Sequence, residues 1–129
     1  MIAVRAAIVV IAIAAIAWLG AGLAASRAQE DLAHLVATTA NPDRTDYERA
    51  AELRGKAERR VPGRRPTLLE ATLRLKGDDR AGAARLLEGL VADEPDNAEA
   101  WLLLSQASDE REAQARARVR ELAPDVPAP

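Results

Sequence analysis

The sequence predicts an all-α protein: an N-terminal transmembrane helix followed by a short solenoid of about three helix-turn-helix units. Three observations predict it. An uncharged apolar run, Ala6 to Ala25 (AAIVVIAIAAIAWLGAGLAA), stands near the start. The rest is rich in Ala, Leu, Arg and Glu, with β-branched and aromatic residues scarce after Val36, a composition that favours helix over strand. Prolines also close successive helical stretches at regular spacing.

The apolar run is twenty residues long, and as a helix it would span about 30 Å, roughly one hydrocarbon core. Ile, Val and Leu fill eight of its positions, worth about −2 to −5 kcal/mol on the insertion scale. Trp18 suits the interfacial aromatic belt. Residues 1–25 therefore read as an uncleaved anchor. The alternative is a secretory signal cut after a small-residue site, at Gly22-Leu23-Ala24 or Ser26-Arg27-Ala28. Ala17, Ala21 and Ala25 share a face on which two such helices could approach. Arg5 at the short end, against Arg27 offset by Glu30 and Asp31, favours a cytoplasmic N-terminus. The location that follows is single-pass in the plasma (inner) membrane, with the C-terminal domain outside the cytoplasm.

About 104 residues follow the run. Pro62 follows RAAELRGKAERRV, Pro95 follows RAGAARLLEGLVADE, and Pro124 follows REAQARARVRELA, at spacings of 33 and 29. Ala50 and Ala57 precede Pro62 by the distances at which Ala83 and Leu90 precede Pro95; the third copy is shortened. Each stretch has a helical partner upstream. These are Ser26 to Thr38, broken at Asn41-Pro42; Pro66 to Leu75, closed by Gly77-Asp78-Asp79; and Asn97 to Ser108, ended by Ser108-Asp109. The last helix is expected over Asp109 to Leu122, a mostly polar terminal cap. The repeat domain thus spans 26–124, and residues 125–129 form an unfolded tail.

Glu94 to Ala107, EPDNAEAWLLLSQA, shows the logic locally. Pro95 stops one helix, and Asp96 or Asn97 caps the next. At 100° per residue, Ala100, Trp101, Leu103, Leu104 and Ala107 share a face. Trp101 reads as a packing anchor against the Ala83–Leu90 helix. Leu102 falls on the polar side, between Glu99 and Gln106.

Paired helices with a period near 34 and small residues at crossings resemble tetratricopeptide repeats. The match is best over 64–124. It rests on Gly77-Asp78 at the turn, Ala83 at the crossing, Leu87 and Leu90, Pro95 as terminator, then Trp101 and Leu104. Ser105 replaces the family's small residue, the first unit matches through Ala50, Ala57 and Pro62, and His34 stands where a Trp would. The resemblance implies a groove lined by first-helix residues, here Glu99, Leu102 and Gln106, with Thr67, Ala71 and Arg74 at the corresponding face of the preceding unit. It also implies a protein partner and no catalysis, as in accessory subunits of envelope assembly systems, such as cytochrome c maturation or surface-polysaccharide synthesis.

Little else carries chemistry. Zero Cys removes disulfides, thiolate metal sites and cysteine nucleophiles. His34 is the one histidine, and Gly20-Ala21-Gly22 has no preceding strand to make it a phosphate loop. No catalytic residue, metal site, cofactor or small-molecule substrate is expected. The charge of −2 and the lack of interleaved aromatics argue against nucleic acid. Arg59, Arg60, Arg64 and Arg65, in ELRGKAERRVPGRR, read as a solvated helix end or as a contact for anionic headgroups or an acidic partner. Two other functions fit the same residues: a secreted binding module, or a regulatory subunit of a membrane enzyme complex. The Ala- and Arg-rich usage points to a high-GC bacterial genome.

Overall fold

The computed structural model describes residues 23–59 and 63–124, and within them the chain is all helix and connection. The expected membrane span lies outside them save for its last three positions, as do Arg60, Pro62 and the tail 125–129. Among the described residues no helix is long and apolar enough to cross a membrane.

Among the described residues there are six helices, and successive ones, packed together and joined by short connections, run in opposite directions. α1 is described over 23–38, and its apolar stripe Ala25, Ala28, Leu32 and Val36 is buried, at the three- to four-residue spacing of one helical face. The described helix thus already includes Ala25, one residue before the expected domain start. His34 is exposed. α2, Arg44–Glu58, begins earlier than its Ala pattern alone indicates. Asp43 caps it by accepting from the Thr45 and Asp46 amides, and Asp46 returns the bond to the Asp43 amide; this capping box satisfies otherwise orphaned donors.

α3 spans Arg64–Lys76 and α4 spans Arg80–Asp93. Between them Asp78 takes a left-handed φ of 62°, and the Asp79 amide reaches back to the Arg74 carbonyl at 2.9 Å, a helix-closing turn of Schellman type. Gly77 is needed here because a side chain would run into the Tyr47 ring and hydroxyl of α2. Asp79 then caps α4 by accepting from the Gly82 amide at 2.9 Å.

α5, Ala98–Ala107, is capped by Asn97, whose side-chain oxygen accepts from the Ala100 amide at 3.1 Å. α6 runs Glu112–Leu122 and not from Asp109. Residues 108–111 instead form a turn closed by the Arg111 amide on the Ser108 carbonyl. No side chain caps α6, in keeping with its few apolar residues.

Two apolar clusters hold the stack. The larger joins Leu68 and Ala71 of α3 to Ala83, Leu87, Leu90 and Val91 of α4, to Ala100, Trp101, Leu104 and Ala107 of α5, and to Ala115 and Val119 of α6. Trp101 is 9% exposed, and its indole N–H donates to the Pro95 carbonyl at 2.8 Å, so the ring also pins the preceding turn. The smaller cluster joins Leu32 and Val36 of α1, Ala50 of α2 and Leu73 of α3. Among α2 to α6, each helix touches the next in sequence, and α3 also touches α5. The backbones of the second helices α2, α4 and α6 make no comparably close approach to one another. The stack is therefore closer on its α3–α5 side and splayed on the other.

Candidate functional site: a groove along the third and fifth helices

On the closed side lies a groove of about 440 Å³, lined by Arg64, Arg65, Leu68, Leu69 and Thr72 of α3 and by Glu99 of α5. On the splayed side a cleft of about 530 Å³ opens between α2 and α4 over the start of α3, with Arg54, Glu58, Thr67, Arg85, Gly89 and Asp93 among its walls.

Of the expected groove residues, Glu99 lines the groove and Thr67 the splayed cleft, and the other four line neither. Glu99 and Gln106 are exposed on α5, and Glu99 lines the groove. Leu102 is half-buried and packs against the larger apolar cluster, so only part of its side chain is available. The α3 set is displaced. Thr67 faces the splayed cleft, where its hydroxyl donates to Glu58 Oε1 at 2.8 Å. Ala71 has no exposed surface and belongs to the core, which corrects its assignment as a groove contact. The face one residue onward, Leu68 and Thr72, lines the groove instead. Burial of Pro66, Leu68, Glu70, Ala71 and Leu73 sets that rotation.

Arg74 is also withheld from a ligand. Its guanidinium meets Glu70 at 2.9 Å and Asp79 at 2.6 Å, and stacks 5.2 Å from the centre of the Tyr47 ring. It belongs to a polar chain that joins three helices. Glu70, 1% exposed, receives Arg54 of α2 at 2.6 Å on one oxygen and Arg74 on the other. Arg54 continues to Glu58 at 3.1 Å. A buried carboxylate is tolerable when its oxygens are matched in this way. Partial burial pushes the Asp79 carboxyl up, but the Gly82 amide and the Arg74 guanidinium outweigh it and hold the group below the usual carboxylate value.

Arg59 and Arg65 are exposed, and among the described residues neither forms an ion pair. Arg64 meets Glu94 at 3.3 Å, an exposed pair. The groove therefore offers an apolar floor, Leu68 and Leu69, with an unpaired cation at one rim and a carboxylate at the other. That pattern suits an extended or helical segment of mixed polarity better than a compact metabolite.

Sequence reasoning missed Leu69 and Thr72 as groove residues, and missed Glu70 as the centre of a network. The signal for Glu70 was present: a glutamate between Leu69 and Leu73 on one face, with Arg74 four residues on. Comparison with known proteins finds no matching family model, no matching curated protein and no matching solved structure.

Proposed function

We propose that this chain is a non-catalytic, membrane-anchored adaptor of tetratricopeptide-like hairpins, holding a partner protein in the α3–α5 groove. The observation that supports it best is the contact of α3 with α5 while the second helices stay apart. A stack that curves in this sense lines its inner surface with first helices, and such surfaces receive peptide segments. The apolar run Ala6 to Ala25 supplies the anchor in this reading. Its place is the inner membrane, with the stack outside the cytoplasm and an accessory role in envelope assembly.

The test is a mild-detergent pull-down of the full-length protein from native membranes, with intact mass of the bait. One stoichiometric partner, held by the native chain and lost on Glu99→Arg or Leu102→Glu while helical content is retained, is the expected outcome. A partner indifferent to both substitutions would move the binding surface elsewhere. A soluble bait lacking the N-terminal run would replace the anchor with a cleaved signal.

A further inference from the structure

The alternation of the helices sorts their connections to two ends of the stack. The α1–α2, α3–α4 and α5–α6 connections gather at one end, where Lys76 Nζ donates to the Val36 carbonyl at 2.6 Å and Arg80 meets Asp109 at 3.3 Å. The other end holds residue 23, the C-terminus of α2, the start of α3 and the α4–α5 turn, tied by Arg64 to Glu94 and by Arg118 to Asp96 at 2.9 Å. Lys76 lies as far along the chain from Arg64 as Val36 lies from Ala24, about 18 Å along each helix. The start of α3 therefore sits level with the residue at which the apolar run is ending.

That end has a distinct surface. Leu23, 59% exposed, is the one large apolar side chain exposed among the described residues, and it stands there. The same end carries the exposed Arg27, one turn on from Leu23 along α1, and the exposed Arg59, Arg64 and Arg65, which flank the α2–α3 connection. Among the described residues only Arg64 of these four is in an ion pair. Several acids of the same end are engaged: Glu58 with Arg54 and Thr67, Glu94 with Arg64, Asp96 and Glu121 with Arg118. Asp93 and Glu99 at this end, and Glu30 and Asp31 further along α1, are exposed without an ion pair among the described residues, and the four arginines offset them in number.

We infer that the end of the stack carrying Leu23, Arg27, Arg59, Arg64 and Arg65 rests on anionic lipid headgroups, so that the helices stand on the membrane and the groove opens sideways. This rests on the anchor reading above. The apolar run fixes where the bilayer begins, Leu23 enters its edge, and the arginines meet the headgroup phosphates. Guanidinium groups form paired hydrogen bonds to phosphate, and each basic residue near an anionic surface is worth a factor of about five in binding. An acidic protein would satisfy the same charges, but it would not account for an exposed leucine level with the end of an apolar run.

The chain has no cysteine, so single labels can be placed cleanly at Gly63→Cys, beside the patch, and at Ala40→Cys, at the opposite end. The labelled full-length protein is reconstituted into vesicles of phosphatidylcholine, alone or mixed equally with phosphatidylglycerol, each with a quencher on a headgroup. The label at position 63 should be quenched in anionic vesicles and the label at position 40 should not. Arg59→Gln/Arg64→Gln/Arg65→Gln should reduce the quenching at position 63 to the level at position 40. Salt of about 1 M should do the same, since it shortens the screening length to about 3 Å.

Equal quenching at both positions, or quenching at 63 indifferent to lipid charge and to the arginines, would overturn the inference. Capture of soluble polyglutamate with no vesicle contact at position 63 would overturn it in favour of an acidic protein. Flotation on neutral vesicles reports the anchor separately. If the chain fails to float there, the anchor reading is lost, and arginine-dependent flotation on anionic vesicles alone then upholds the patch or, by its absence, refutes it.

Discussion

The α2–α3 junction and the junction of α4 with α5 and α6 solve one packing problem by different means. The second is apolar: Leu87, Leu90, Val91, Trp101 and Leu104 fill it, and the one indole N–H is satisfied by a carbonyl in the adjoining turn. The first has small residues, Ala50 and Ala57, where α4 has Ala83 and Leu90. It supplements them with the buried Glu70 held between Arg54 and Arg74. An apolar interface gains from any close fit, whereas a buried ion triad is stable only in one geometry. Adjacent units with one chain path are thus held by different forces. Of the two, the polar junction is the more sensitive to the loss of a single atom group.

The sharpest way to break the apolar side is Trp101→Ala. With the side chain buried and its hydrogen bond to Pro95 lost, stability should fall by about 3–5 kcal/mol, read by denaturant unfolding. A change within about 0.5 kcal/mol would mean the ring is not a packing anchor.

On the polar side, Glu70→Ala leaves two half-buried guanidinium groups facing each other and should cost about 3 kcal/mol. The contrast sharpens with Arg54→Met/Glu70→Leu/Arg74→Met. If the triad is a means of specification and not a net source of stability, this variant should unfold within about 1 kcal/mol of the native chain. Stability as poor as that of Glu70→Ala would instead make the ion network an indispensable stabiliser.

Asp79 links the two junctions, since it caps α4 and holds Arg74. Asp79→Ala should cost about 1–2 kcal/mol. Its acidity is greater in the folded chain than the ordinary value of 3.8, so the unfolded state takes up the proton first. The contribution is present above that ordinary value and is lost as pH falls through the lower folded one. Unfolding measured from neutral to acid pH should show this loss in the native chain and a shallower one in Asp79→Asn.

The smallest effects come from two helix glycines. A Cβ at Gly55 of α2 or Gly89 of α4 would meet nothing within 4 Å. Gly55→Ala and Gly89→Ala should each raise stability by up to about 1 kcal/mol. Equal gains would show that the junctions differ in their packing and not in helix propensity. A loss at Gly89 would point to hidden strain on the splayed side.

Much of the fold was legible locally. Asp79 and Asn97 cap the helices they precede, Gly77-Asp78 makes its turn, and of the stripe Ala100, Trp101, Leu103, Leu104 and Ala107 all but the half-buried Leu103 are buried. Each depends on neighbours within about one helical turn. Ala71 lies in the core, Thr67 in the splayed cleft and Arg74 in the polar chain, because each residue along a helix turns the face by 100°. The polar and small residues of α3 do not by themselves indicate which face its partners will take.

By itself the sequence determined the all-α class, the order and approximate limits of the helices, and the apolar run at the start, because caps, turns and periodicity are short-range properties of the chain. Tertiary structure alone decided which face of α3 lines the groove and that Glu70 is buried between two arginines. It alone brought Arg64 and Arg65 of α3 to one groove with Glu99 of α5. Those outcomes depend on residues far apart in the chain meeting across helices, and a carboxylate enters a core only where distant cations are placed to receive it.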